Sequence, residues 1–350
     1  MSECLSNSIK TVRIYSYEDI RNAVLKSYMD RSDLSASLLK KNRIIKARAI
    51  YVSKLDRIFS LLASYMGACA RLPRLASMHP FYSEIAVIAS GGKYEELLDR
   101  CKRAIHLITK LYREYRKRII ESEDPSEIKK LAREYVGRSL SIIRRGLKGV
   151  EILRNAINEI SKSPCISSDM ANVVICGMPQ VGKSTLVSRI STAKPETSPF
   201  PFTTKRVIMG HIDLGGRRVS IIDTPGILDR PIEEMNEIEL KAVSAIKHLA
   251  DIAVFLIDPR RGAYYSLEQQ LRVLDSVEKI IRKEKILIAI NKIDILSKEE
   301  IELCISRLRE RGYENIYMIS ALKGEGIDDL VKGIIKKLEY SNQQPPGSSG

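Results

Sequence analysis

The stretch that most limits how this chain can fold is Gly177-Met178-Pro179-Gln180-Val181-Gly182-Lys183-Ser184-Thr185. It fits the phosphate-binding pattern G-x-x-x-x-G-K-[ST] without a mismatch. The apolar run Asn172-Val173-Val174-Ile175-Cys176 before it reads as a buried parallel strand, and Leu186-Val187-Ser188-Arg189-Ile190 after it as the first turns of a helix. Strand, glycine loop and helix together give the pattern its chemistry. Gly177 and Gly182 have no Cβ, so the loop can close tightly and turn successive N–H groups onto a polyphosphate. The helix dipole adds to that field. Gly177, Pro179, Gln180, Val181, Gly182, Lys183, Ser184 and Thr185 are therefore the candidate phosphate-binding residues. Lys183 is placed to reach the β- and γ-phosphates and Ser184 to ligate Mg²⁺.

A phosphate loop alone leaves ATP and GTP open, and further stretches decide between them. Ile221-Ile222-Asp223-Thr224-Pro225-Gly226 ends a strand with a carboxylate suited to hold Mg²⁺ through water, and the Gly226 N–H can meet a γ-phosphate. In Asn291-Lys292-Ile293-Asp294, after another strand, the carboxylate can accept from both N1–H and the 2-amino group of guanine, a pairing adenine cannot make. Ser320-Ala321-Leu322-Lys323 follows the last strand, where a backbone N–H can face the guanine O6. Between the loop and Asp223 lies Ser198-Pro199-Phe200-Pro201-Phe202-Thr203-Thr204-Lys205, a switch-like segment whose threonine would complete the metal shell. Thr204 is taken as that threonine on the family resemblance given below, with Thr203 as the alternative. Candidate metal ligands are thus Ser184, Thr204 and Asp223, and candidate catalytic groups Lys183, Thr204 and Gly226.

At 350 residues the chain has room for two domains. Its net charge of +15 is unevenly spread. Residues 1–168 carry 32 Lys and Arg against 18 Asp and Glu, while residues 169–350 are almost balanced, 26 against 25. A single-signed field on one half points to a polyanion bound through phosphate contacts. Trp is absent, so stacking on single-stranded bases is not the favoured mode. No apolar run approaches a membrane span, and the first residues lack the basic and apolar regions of a signal peptide, so an intracellular, cytoplasmic monomer is expected. The six cysteines are scattered without a C-x-x-C pair and the four histidines are dispersed, which predicts reduced thiols and no zinc site.

The first half reads as helices. Apolar residues recur at helical spacing from Asp33 to Met66, a shorter helix spans Tyr17 to Met29, and another lies around Tyr82 to Ala89. A long helix begins near Lys93 with one continuous apolar stripe. Asp124-Pro125 caps and starts a further helix, and a last one follows Gly149. Lys102, Arg103, Lys110, Arg113, Arg116, Lys117 and Arg118 decorate the long helix away from its stripe, and Arg138, Arg144, Arg145 and Lys148 follow on the next. Beyond Ser161–Ser168, a polar, proline-broken linker, strands and helices alternate. The expected fold is an α/β P-loop domain over 169–340, doubly wound around a mostly parallel six-stranded sheet with one antiparallel hairpin strand turning at Gly215-Gly216. An all-α bundle over 1–160 precedes it, and a disordered tail over 341–350 follows.

Order and spacing of these stretches resemble the translation-factor class of GTPases, and within it the Obg-like group. Phe202-Thr203-Thr204-Lys205, Gly210-His211-Ile212-Asp213 and Asp223-Thr-Pro-Gly-Ile-Leu-Asp-Arg-Pro231, with Asn236, Glu239 and His248, look like the Nog family of nucleolar GTP-binding proteins and their archaeal relatives. The match is dense over residues 172–257. In the helical half only the architecture corresponds, and the long C-terminal extension of the eukaryotic members is absent here, as in a short archaeal form. The resemblance implies a GTPase that binds GTP, GDP and Mg²⁺ and assembles large ribosomal subunits. Its partners would be large-subunit ribosomal RNA, the pre-ribosomal particle and ribosomal proteins. A GTP-dependent binding module in signalling or translation control, gripping a protein partner through the bundle, is the alternative. Two residues depart from pattern. Gln180 stands where related GTPases have an Asn that helps bind an activating K⁺, so K⁺ activation is not carried over. Ile227 stands where Ras-like proteins place a water-orienting glutamine, and an aliphatic side chain cannot orient water, so slow intrinsic hydrolysis is expected.

Overall fold

The computed structural model describes residues 4–30, 42–167, 169–214 and 217–343. The chain divides into two compact units. One holds Met1–Ser6, Met78–Ile85 and Glu159–Gly350, and the other holds Asn7–Ser77 and Ala86–Asn158.

The first unit is built on a seven-stranded sheet in the order β2-β3-β4-β1-β5-β6-β7. Its strands are β1 (Ala171–Cys176), β2 (Glu196–Pro199), β3 (Arg206–Leu214), β4 (Arg217–Asp223), β5 (Ile252–Ile257), β6 (Ile286–Ile290) and β7 (Ile316–Met318). β4, β1, β5, β6 and β7 run parallel, and every residue of β5 and β6 is buried, as expected when helices cover both faces. β3 pairs antiparallel with β4, with Met209 opposite Ile222. The sequence indicated six strands; the seventh is β2, an edge strand antiparallel to β3. Its four residues, Glu-Thr-Ser-Pro, carry no apolar alternation and end in proline, so it exists through its pairing rather than its own propensity. The expected Gly215-Gly216 turn lies outside the described residues.

Helices of this unit start at recognisable caps. Asn236 caps α9 (Glu237–Leu249), Ser266 caps α10 (Leu267–Ile280) and Ser297 caps α11 (Lys298–Glu310), each as a reciprocal capping box with the residue three positions on. α8 (Lys183–Ile190) begins instead at Gly182, in the left-handed region, with no side-chain cap, so its first N–H groups stay available to a ligand. α12 (Ile327–Gln343) continues through residues 341–343, which the expected tail included; residues 344–350 lie outside the described part.

The second unit holds α2 (Tyr17–Met29), α3 (Arg43–Ala70), α5 (Tyr94–Glu121), α6 (Pro125–Gly146) and most of α7 (Val150–Lys162). The expected helix from Asp33 begins at Arg43 behind an Asn42 cap; residues 33–41 lie outside the described part. α5 buries Tyr94, Leu97, Leu98, Cys101, Ala104, Ile108, Tyr115 and Ile119, the stripe visible in the sequence. α6 starts at Pro125, with the Asp124 carboxylate accepting from the Ser126 N–H at 2.9 Å. Of the basic residues on α5, Arg116, Lys117 and Arg118 pair with Asp56, Glu121 and Glu114. Lys102, Arg103, Lys110 and Arg113 make no ion pair among the described residues.

Two expectations about the segment ahead of β1 are corrected. The linker is not open chain: α7 runs through Lys162, Ile166 is buried, and the Tyr82 hydroxyl donates to the Pro164 carbonyl at 2.9 Å while accepting the Ile166 N–H at 2.8 Å. Nor are all thiols free. Cys4 and Cys165, separated by 161 positions, form a disulfide with Cα atoms 5.6 Å apart. Spacing along the chain says nothing about such a pair, because folding brings its members together. Cys69, Cys101, Cys176 and Cys304 are free and buried. Helix α4 (Pro80–Ser90) contributes its first half to the sheet-containing unit, and α1 (Leu5–Ile9) is a short turn near the chain start.

Candidate functional site

The phosphate loop sits at the carboxyl end of β1, the central position where the chain winds to either side of the sheet. Gly177 and Gly182 have φ of 128° and 104°, and a Cβ on Gly182 would strike the Asn291 amide. Gln180, at φ 67°, adopts the same left-handed region without being glycine. The Lys183 ammonium is folded onto its own loop, donating to the Gly177 and Met178 carbonyls at 2.9 Å each. Burial lowers its pKa, opposed by the charges of Asp223 and Asp229. An ammonium already sitting on two carbonyls at the mouth of the loop can exchange them for phosphate oxygens.

At the metal position the Ser184 hydroxyl donates to Asp223 Oδ2 at 2.6 Å. The second oxygen, Asp223 Oδ1, is buried with no hydrogen-bond partner among the described residues, and burial raises the carboxyl pKa against the Ser184 bond and the Lys183 charge. A buried orphan acceptor is costly in a native fold, and its place beside a serine hydroxyl suits a hard cation with oxygen ligands. Ser184 and Asp223 therefore fit Mg²⁺. Thr204 is not brought to them: it is exposed and lines a cleft with Phe200, Asn236 and Ile238, while the Thr203 hydroxyl accepts the Lys205 N–H at 3.1 Å. The switch segment is shaped for a different arrangement, with Phe202 at φ 61° and Phe200 buried against Phe81, ring centroids 5.8 Å apart.

Gly226 stands at φ 75° in the turn after Asp223, where Thr224 is buried with its hydroxyl donating to the Ile175 carbonyl at 3.3 Å. Ile227 is 3% exposed, so its side chain is packed inward and away from any attacking water.

The base end is tied together by Asn291. Its amide donates to the Val181 carbonyl of the phosphate loop at 2.8 Å, and its Oδ1 accepts the Ala321 N–H at 2.9 Å. One buried side chain thus links the loop, the Asn-Lys-Ile-Asp stretch and the segment after β7. Lys292, at φ 66°, donates to the Gln180 carbonyl at 2.8 Å and to Asp258 at 2.7 Å. Asp258 alone would be raised by burial, but Arg260 and Lys292 hold it below the usual carboxylate range. Asp294 is likewise held low, chiefly by the Ser320 hydroxyl, and Lys323 lies 3.7 Å away. Ala321 and Lys323 have their N–H groups engaged, by Asn291 and by Ser320 Oγ, so among the described residues Leu322 supplies the unpaired N–H of this turn. Arg189 of α8 donates to the Ala321 carbonyl at 3.3 Å and to that of Leu322.

Asp258, Arg260, Arg189 and Lys205 were not singled out in the sequence. Asp258 sits one residue past a buried apolar strand, which is the one signal that could have marked it. Arg189 and Lys205 act across the fold, and neither the helix around the first nor the motif that ends in the second marks its partner.

A doubly wound sheet whose phosphate loop is bonded through Asn291 to an Asn-Lys-x-Asp turn defines the P-loop GTPase class. Residues 172–292 match the family model described as 50S ribosome-binding GTPase, and residues 20–167 match that of the NOG1 N-terminal helical domain. Nucleolar GTP-binding protein 1 of Drosophila melanogaster is 30% identical over 83% of this chain and 46% of its own length. That of Encephalitozoon cuniculi is 30% identical over 86% of this chain and 59% of its own. An uncharacterized protein of Methanocaldococcus jannaschii is 34% identical over 74% of this chain and 73% of its own length. The chain belongs to the Nog family of nucleolar GTP-binding proteins. It spans about half the length of the nucleolar relatives. Among the described residues no helix is long and apolar enough to cross a membrane.

Proposed function

We propose that this protein is a GTP-hydrolysing switch acting in assembly of the large ribosomal subunit, gripping ribosomal RNA through its basic helical unit. The observation that carries the guanine reading is the Asn291 bridge between Val181 and Ala321, because it holds the Asn-Lys-Ile-Asp stretch against the phosphate loop and the segment after β7. Lys183, Ser184 and Asp223 would hold the β- and γ-phosphates and Mg²⁺, which would neutralise charge on the phosphates when bound. Thr204 would join them only after the part of the switch segment ahead of Lys205 turns inward. Loop residues Pro179, Gln180, Val181 and Thr185 frame the phosphates with Gly177 and Gly182, and Ser320, Ala321 and Leu322 frame the base.

Hydrolysis by the isolated chain is slow in this reading, because Ile227 is buried and aliphatic and cannot orient water. A partner surface supplies what is missing. Exposed Arg103, Lys110 and Arg113 and half-buried Lys102, free of ion pairs among the described residues, support the RNA grip through phosphate contacts. The protein acts as a cytoplasmic monomer between engagements.

Cosedimentation with large-subunit precursor particles, in the presence of a non-hydrolysable GTP analogue or of GDP and across a salt series, tests this. Association that depends on the nucleotide and falls steeply with salt is the expected result. Absence of association in either nucleotide state would overturn it in favour of a binding module for a protein partner.

A further inference from the structure

Ile227 leaves open which of the chain's own residues tells a triphosphate from a diphosphate. Lys205, directly after the threonine pair, makes a contact that answers this. Its ammonium donates to the Gly226 carbonyl at 2.8 Å and lies 3.9 Å from Glu239 Oε1. Glu239 is itself fixed: Arg230 donates to Oε1, and Oε2 accepts the Asn236 N–H at 3.1 Å within the capping box of α9. One cation therefore joins three things, namely the switch segment, the Gly226 turn and the first turn of α9. The packing is close as well as polar, since a Cβ on Gly226 would strike the Lys205 side chain. Lys205 also lines a cavity of about 390 Å³ that opens beside Met178 and Pro179 of the phosphate loop, with Asp229 and Arg230 on its wall.

We infer that Lys205 is a positioning residue that acts through the Gly226 carbonyl. It fixes the turn whose N–H meets a γ-phosphate, and so makes the site discriminate GTP from GDP. The inference rests on the functional reading above and deepens it. A carbonyl bound by an ammonium is restrained in direction, and restraint of one peptide orients its neighbour, because only two dihedral angles intervene. A charge-assisted bond of this kind is worth enough to shift the turn's preference about tenfold. GDP has no group at that position and does not sense the restraint.

The test measures affinity of the full chain for fluorescent GDP and for a fluorescent non-hydrolysable GTP analogue, in the wild type, Lys205→Ala and Lys205→Arg. Lys205→Ala is expected to weaken the analogue about tenfold and leave GDP within twofold, and Lys205→Arg to recover most of the loss. Unchanged GDP binding also reports that the variant is folded. Equal losses for both nucleotides, or no loss for either, would overturn the inference. A wild-type chain that binds neither nucleotide would instead overturn the functional reading, and this inference with it.

Discussion

The two ends of the nucleotide site are built on opposite principles. At the base end, Asp258 already bonds to Lys292 and Arg260, Asn291 and Lys292 bond to the phosphate loop, and Asn291 bonds to Ala321. At the γ-phosphate end, Thr204 is exposed, Phe202 holds an uncommon backbone conformation, and one lysine bridges the two switch segments. Pre-formed bonds cost nothing to make when ligand arrives, so the base end supplies affinity and specificity. In the proposed switch, segments that can rearrange respond to the ligand, so the phosphate end would supply the change of state.

The largest expected effect breaks the rigid end. Asp294→Asn should reduce GTP affinity on the order of 1,000-fold while xanthosine triphosphate binding appears, as competition binding would show, because two charge-assisted bonds to guanine are lost together. Next comes Asn291→Ala, which strands the buried Val181 carbonyl and Ala321 N–H. It should lower unfolding free energy by about 2–4 kcal/mol in urea denaturation, before any nucleotide is added. If it unfolds like the wild type, the base end is not pre-formed.

A smaller effect is set by pH at Asp223. Burial raises its pKa above that of the unfolded chain, so the ionised carboxylate costs the folded state free energy above the folded pKa, and acidification relieves that cost. Metal affinity moves the other way, since only the ionised form binds a cation. The Mg²⁺-dependent share of nucleotide affinity should therefore disappear as pH falls through the raised pKa, at higher pH than for an ordinary carboxylate. Titrating affinity with and without a chelator checks this, and Asp223→Asn should be flat. The smallest effect separates the two threonines. Thr203→Ala should cost about 1 kcal/mol of stability, because its hydroxyl accepts the Lys205 N–H, with little change in metal dependence. Thr204→Ala should leave stability alone and weaken Mg²⁺-dependent GTP binding a few-fold.

The same contrast governs what could be read from the amino acids. The phosphate loop, the Asn-Lys-Ile-Asp turn and the parallel strands are local patterns, and they stand where their spacing puts them. The α5 stripe and the Asp124-Pro125 start are equally local. What escaped is held by partners distant in sequence. β2 has no apolar pattern and owes its existence to β3. The Met78–Ile85 segment reads as part of the helical half, yet Glu84 accepts from the Ser244 hydroxyl of α9 at 2.6 Å, and Tyr82 holds the chain ahead of β1. Lys205 looks like the end of a motif, and its meaning comes from a carbonyl 21 positions away.

The bond between Cys4 and Cys165 gives the molecule a property of a ring. Most of the helical half is chain that lies between two bonded cysteines, so it belongs to a covalently closed loop. Nicking that loop once by protease would open it without releasing a piece, and the two fragments would travel as one band until a thiol reductant was added.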